Sequence, residues 1–284
     1  ASTGNAIFIL NQCAFFGIMA IGMTFVIMTG GIDLSIGSIE AIAGVVCALA
    51  VRHAGGHVWP GILGGWIAAL LIGLAAGGLT GLLVTRLDVA PFIATLALMS
   101  SVRGAGNLLT GGEPISPMPE AYTWLGRHRF FDTAPVNVVL FLLLLVAGYI
   151  LLHHTPLGRH IRAIGGNEES ARLSGIPVRR VKLMVYLFCG AMTALAGLVL
   201  SSKLGAGSPK VGLGDELIVI AAVVVGGTSL SGGRGSIPGT FMGLLVVQVL
   251  SSGLTWIGVE TFGQQVTLGI VILGAVLLDR LKPS

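Results

Sequence analysis

Eight polar side chains interrupt otherwise apolar stretches of this 284-residue sequence: Asp33, Glu40, Arg103, Asn107, Glu216, Gln248, Gln264 and Gln265. Their spacing decides what chemistry is open to them. Hydrolysis needs a nucleophile beside its base, or two carboxylates sharing one proton. Asp33 is the one aspartate bordering an early apolar run, and Ser229 and Ser231 have no histidine embedded near them. A phosphate-cradling P-loop needs Gly-Lys followed by Ser or Thr. The lysines Lys182, Lys203, Lys210 and Lys282 follow Val, Ser, Pro and Leu, so the chain is no ATPase of that kind. Gly232-Gly233-Arg234-Gly235 lacks the strand-to-helix setting of a dinucleotide loop. Cys13, Cys47 and Cys189 stand apart in apolar runs and read as small buried hydrophobes. No Cys/His cluster has ligand spacing, so no metal or cofactor is expected on this chain. Catalysis therefore gives way to isolated polar groups in apolar surroundings, which usually face a cavity or a partner.

The elements that position these groups follow from composition. Apolar residues make up 54% of the chain and charged ones 10%, against roughly 25% charged in soluble domains. The mean hydropathy is +0.93. Such a chain cannot supply a polar shell. The sequence predicts an all-α polytopic membrane protein, one domain over 1–284. Nine candidate spans are read, each near the ~20 residues a bilayer crossing needs: 6–29, 35–51, 58–85, 89–109, 134–152, 183–204, 216–230, 236–257 and 262–278. The short runs 35–51 and 216–230 suit broken or partly re-entrant segments, tolerated where protein covers the backbone.

Charge sets the orientation. The longest polar stretch, 153–182, carries Arg159, Arg162, Arg172, Arg179, Arg180 and Lys182 against Glu168 and Glu169, equal to the whole net charge of +4. Positive-inside bias places it in the cytoplasm and explains the pI near 9.3 without nucleic acid. Alternation then puts Arg86, Arg234, Arg280 and Lys282 inside, and the loops 52–57, 110–133 and 205–215 outside. It also leaves the N-terminus outside, which points to a span preceding Ala1 and about ten in the native protein.

Within the basic stretch one short helix is well punctuated. Asn167 is a suitable N-cap. Glu168 and Glu169 sit at the positive end of the helix dipole. Gly175 fits a left-handed C-terminal turn, and Pro177 forbids continuation. So short a helix is marginal alone in water. It is either a helix held in a partner's groove or an ordinary capped loop helix.

The pattern Glu169-x-Ala171-x-x-x-Gly175 resembles the EAA coupling motif of ABC importer permeases. The segments IGMTFVIMTGGIDLSIGS (21–38), PFIATLALMSSVRG (91–104), HHTPLGRHIRAIGGNEESARLSGIPV (153–178) and AAVVVGGTSLSGGRGSIPGT (221–240) resemble bacterial ribose-type sugar ABC permeases. The similarity runs from about residue 10 to 280. Departures are the absent first span and Ser170 in place of the usual second alanine. The resemblance implies an inner-membrane permease that docks an ABC ATPase through Asn167, Glu168, Glu169, Ala171, Arg172, Gly175 and Ile176. ATP and Mg would be bound by that ATPase. A periplasmic sugar-binding protein would deliver substrate, a second permease copy or a paralogue would pair with the chain, and membrane lipid would surround it.

The motif GGxxLSxG occurs at 30–37 and again at 226–233. This suggests a parallel two-half repeat, with Gly30, Gly31, Gly226 and Gly227 as hinges; in a glycine-rich chain, coincidence is the other reading. A neutral sugar calls for hydroxyl-directed donors and acceptors, so Asp33, Phe92, Arg103, Asn107, Glu216 and Gln264 are candidate pathway or gate residues. Arg103 serves the pathway or pairs with an acid such as Glu216; Phe92 stacks on a sugar or packs. Ribose leads, with fructose, xylose and other small polar solutes (a furanose signalling molecule among them) behind. An ATP-independent facilitator or secondary transporter is the alternative mechanism.

Overall fold

The computed structural model describes residues 3–130 and 134–281. The helices in chain order are α1 (Thr3–Met28), α2 (Ile36–His53), α3 (Val58–Arg86), α4 (Pro91–Thr110), α5 (Trp124–Arg127), α6 (Val136–His154), α7 (Pro156–Gly166), α8 (Glu168–Leu173), α9 (Val178–Leu204), α10 (Asp215–Val225), α11 (Ile237–Trp256) and α12 (Thr261–Leu281). The only strands among the described residues, β1 (Arg129–Phe130) and β2 (Ala134–Pro135), pair antiparallel. Seven of the described helices are long and apolar enough to cross a membrane, and a shorter apolar stretch covers Phe262–Gly274 of α12. The fold is all-α and polytopic. Lys282, expected on the same side of the membrane as the basic stretch, lies outside the described residues.

Small residues set the packing. A Cβ on Gly73 would overlap the Gly190 carbonyl, and one on Gly77 would overlap that of Tyr186. α3 and α9 thus meet backbone to backbone, as membrane helices do when small residues let them approach. α2 runs alongside α9 in the same direction: Gly197 fits against the Glu40 carbonyl, and Gly44 against Ser201. α1 crosses α9 at Gly22 and Cys189. The Thr24 and Thr240 hydroxyls share a hydrogen bond at 2.7 Å and join α1 to α11. Inserting a methyl into such contacts costs about 1–3 kcal/mol. Gly73→Ala is therefore expected to lower the melting temperature of detergent-extracted protein. Gly64→Ala, which meets nothing within 4 Å, should leave it unchanged; equal losses would contradict the packing assignment.

The two short runs read as broken or partly re-entrant differ in outcome: 35–51 is one continuous helix, and 216–230 is interrupted. The stretch 216–230 holds an eleven-residue helix, α10, ended by the turn at Gly226–Thr228. The predicted span 35–51 becomes α2, which begins part-way along α9. Gly31 adjoins the Tyr186 hydroxyl whereas Glu40 adjoins Gly197, a rise of about 16 Å along α9 at 1.5 Å per residue. The stretch 205–215, expected as an outside loop, instead runs back down α2. Gly207 lies against Gly44, Val45 and Ala48, and Gly212 against Gly37 and Glu40. Its start is clipped to the 115–127 segment by the Ile115–Gly207 bridge and by Arg127, which donates to the carbonyls of Lys203 and Leu204. α9 begins at Val178, five residues before the expected 183, because Pro177 starts it.

The glycine echo holds locally and slips by one. Gly31 N bonds the Val26 carbonyl at 3.1 Å and Gly30 N that of Ile27 at 2.9 Å; Thr228 N bonds Val223 at 3.2 Å and Gly227 N Val224 at 2.9 Å. Both turns have the bonding of a Schellman cap. The left-handed residue is the first glycine of one pair, Gly30 (φ 77°), and the second of the other, Gly227 (φ 88°).

Candidate functional site

Two regions gather the residues that sequence singled out. The first is α8. Asn167 Oδ1 accepts from Ser170 N at 2.8 Å. At the far end Ile176 N donates to the Ala171 carbonyl (3.1 Å) and Gly175 N to that of Arg172 (3.0 Å), with Gly175 at φ 83°. Six residues are thereby closed at both ends. Only Ala171 is buried, 4% exposed, whereas Leu173 is 78% exposed. Arg172 donates to Glu169 at 2.7 Å, and that carboxylate raises the guanidinium above its ordinary value. Lys182 donates to Glu168 and ties α8 to the start of α9. A groove of about 490 Å³ opens beside it, lined by Val84 and Thr85 of α3 and Asp88 just past it, by Glu168, Glu169 and Arg172, and by Val178 and Arg179. Ahead of α8 stands an unforeseen helix, α7, begun by Pro156 at its first position. The signal was present: proline after a Thr155 in extended backbone is a helix start.

Asn167→Ala removes one cap bond, about 1 kcal/mol. We expect it to weaken retention of whatever docks on α8, with Asn167→Asp restoring it. A pull-down comparing the three proteins checks this, and equal recovery would contradict it.

The second region is where α2 and α10 begin. Asp33 is fully buried; its Oδ1 accepts from Ser35 N (2.9 Å) and Ser35 Oγ (2.5 Å), while Oδ2 has no partner. Glu40 is also fully buried and has the Asp215 carboxyl against it, with no N–H or hydroxyl donor among the described residues on either of its oxygens. A Cβ on Gly37 would lie 2.6 Å from Glu216 Oε2, and one on Gly212 2.9 Å from Glu40 Oε2. Arg103 reaches in from α4. Glu216 is its foremost charged neighbour but forms no salt bridge with it among the described residues; its hydrogen bonds go to the carbonyls of Pro209 (2.7 Å), Val211 (2.5 Å) and Gly212 (3.2 Å). Carbonyls of an unwound segment need donors, and a guanidinium satisfies three at once. Two helix starts thus face a common polar patch in the interior, the arrangement of discontinuous helices in transporters.

The remaining candidates stand elsewhere. Phe92 is 55% exposed on α4. The Asn107 side chain is exposed, and its carbonyl caps the helix through Gly111 N. Gln264 donates to Thr255 Oγ1 (3.1 Å) and the Val259 carbonyl (3.0 Å), bracing the turn between α11 and α12. Of the hinge glycines, Gly30 and Gly227 take the left-handed turns while Gly31 and Gly226 allow close approach, to the Tyr186 hydroxyl and the Gly239 carbonyl. Glu40 was visible in sequence only as one polar group among eight; its place beside Asp215, Glu216 and Arg103 is a tertiary fact. No group of three or more potential metal ligands occurs among the described residues.

Comparison with known proteins supplies what geometry does not. A family model described as "Branched-chain amino acid transport system / permease component" matches residues 5–278. The chain is 47% identical to the ribose import permease protein RbsC of Bacillus subtilis (strain 168), over 99% of this chain and 86% of the relative. It is 42% identical to the Escherichia coli (strain K12) protein of the same name, over 98% and 86%. To the xylose transport system permease protein XylH of Escherichia coli (strain K12) it is 37% identical, over 98% and 85%. No solved structure matches.

Proposed function

The chain belongs to the family of branched-chain amino acid transport system permease components, and from that premise we propose that it is the membrane permease of an ATP-driven importer of a monosaccharide, ribose or a similar pentose or hexose. The observation that carries the coupling is α8: a six-residue helix closed at both ends, anchored by Ala171 and Lys182, and otherwise exposed beside an open groove. A helix of that length needs a partner surface to hold it, and an ABC ATPase supplies one together with the ATP and Mg.

In this reading the chain sits in the bacterial inner membrane, with the basic stretch 153–182 in the cytoplasm. α10 and α12 join the seven long helices to give nine traverses, α10 and its flanking loop forming a broken one. The matching turns at Gly30 and Gly227 are the remnant of a two-half arrangement. A periplasmic sugar-binding protein delivers substrate on the far side, and a second permease copy or paralogue completes the pathway. Neutral sugars suit the interior patch because its acids and Arg103 offer hydrogen bonds to hydroxyls. Arg103 and Glu216 belong to that patch, and Asp33 stands apart from it beside Tyr186 and Cys189. Phe92, Asn107 and Gln264 line its approaches only if α4 and α12 face the partner permease.

The test is gentle extraction of the chain from its native membrane followed by mass spectrometry of what stays bound. An ABC ATPase is the expected companion. Recovery of the chain with no ATPase would overturn the coupling role and favour an ATP-independent facilitator. In cells, unlabelled ribose or xylose should compete for uptake of labelled ribose, and leucine should not; the reverse pattern would overturn the substrate class.

A further inference from the structure

We propose that Gly165 is a positioning residue through which movement of α8 reaches both breaks in the transmembrane path. The proposal rests on the reading of α8 as the ATPase-docking helix.

Three backbones meet at this glycine with no side chain between them. The Met28 carbonyl, at the last turn of α1, accepts from Gly233 N at 3.0 Å. Gly165 presses on that bond from the third side: a Cβ there would overlap both the Met28 oxygen and the Gly233 nitrogen, and would stand 2.9 Å from Gly233 Cα. Gly232, at φ 87°, completes the junction; a Cβ on it would lie 2.9 Å from the Gly165 carbonyl and 3.1 Å from Gly30 N.

What leads away from the junction gives it its role. Gly166 alone separates Gly165 from Asn167, whose side chain caps α8 and whose amide bonds the Ala163 carbonyl of α7 at 3.1 Å. α7 and α8 are therefore joined without slack. Met28 leads through the Gly30 turn to Asp33 and the buried start of α2. Gly233 lies between the end of α10 and Ser236, which caps α11 by accepting from Gly239 N at 3.1 Å. One contact thus touches the helix that docks and both elements that flank the interior patch. Backbone-to-backbone contacts have no rotamers to absorb a displacement, and close-packed matter transmits strain. Gly166 is the internal contrast, since a Cβ there meets nothing within 4 Å.

The experiment compares wild type, Gly165→Ala and Gly166→Ala, expressed in the native host and extracted with their companion ATPase. A fourth protein carries two extra glycines inserted after Gly166, which adds slack and leaves the junction unobstructed. Three quantities are read: ATPase recovered per permease, ATP hydrolysis by the complex, and cellular uptake of labelled ribose. Gly165→Ala and the insertion are expected to keep the ATPase and its hydrolysis while uptake falls about tenfold or more, the scale of a perturbed two-state equilibrium. Gly166→Ala should match wild type within about twofold. Normal uptake by Gly165→Ala or by the insertion would overturn the proposal, as would loss of the ATPase in step with uptake. Absence of any ATPase from the wild-type complex would instead remove the reading of α8, and the junction's role with it.

Discussion

Replacing Gly175 with valine is expected to abolish energised uptake while leaving the chain inserted in the membrane. Gly175 has φ 83° and closes α8 through the bonds from Gly175 N to Arg172 and from Ile176 N to Ala171. Left-handed backbone costs an ordinary residue about 1–2 kcal/mol, and a β-branched one most. α8 has six residues and almost no buried side chain from which to recover that cost. The helix should therefore open, the ATPase should no longer be retained, and uptake should fall to background. Gly175→Asn, which tolerates the left-handed region, should retain a substantial part of both. The check is a membrane fraction blot for insertion, set beside ATPase recovery and labelled-ribose uptake. Full uptake by the valine variant would remove α8 from the coupling.

Removing the Arg103 guanidinium should have a comparable effect by a different route. Its three bonds hold the unwound stretch at Pro209, Val211 and Gly212. Truncation to alanine leaves interior carbonyls without donors and Glu40, Asp215 and Glu216 without their neighbouring positive charge. Breaking such an arrangement costs about 3–5 kcal/mol when fully buried; Arg103 is half-buried, so the loss should fall at the lower end. Arg103→Lys keeps the charge but presents one ammonium where three carbonyls diverge, and should rescue only partly. Thermal melting of the purified protein and uptake together decide this. A stable, transporting alanine variant would contradict the bracing role.

The contrast between these two sites explains what sequence could and could not reveal. The caps of α8 were legible because every determinant lies within ten residues: Asn167 accepts locally, Gly175 turns locally, Pro177 stops locally. The EAA-like pattern sits on the same short stretch. The long apolar runs likewise announced α1, α3, α4, α6 and α11 to within a few residues.

The interior patch was not legible in the same way. Hydropathy counts apolar residues but carries no depth, so the shortness of 216–230 suggested a broken segment without showing that its helix ends at Val225 and the rest is turn. The stretch 205–215 looked like an exposed loop because glycine, proline and serine punctuate it. Its descent along α2 depends on Gly37 and Gly212 touching across 175 residues of chain. Arg103 invited an ionic partner on grounds of charge; it has acidic neighbours, yet its hydrogen bonds go to backbone carbonyls made available by the unwinding. Sequence names ionisable groups and is silent about carbonyls, so it favoured Glu216. The glycine echo conceals a difference of one residue for a related reason. Both pairs end a helix, but the helix length fixes which glycine turns left-handed, and α10 ends one position later in the motif than α1.

The central claim is that sugar movement through this chain is driven by ATP on a partner and transmitted through α8. The most direct test is uptake by sealed proteoliposomes that hold the permease with its co-extracted ATPase, with the sugar-binding protein and labelled ribose supplied on its own side of the membrane. We predict accumulation above the outside concentration when ATP and Mg are on the ATPase side, no accumulation with a non-hydrolysable analogue, and none with the Gly175→Val complex. Equilibration of ribose at the same rate with or without ATP would contradict the claim.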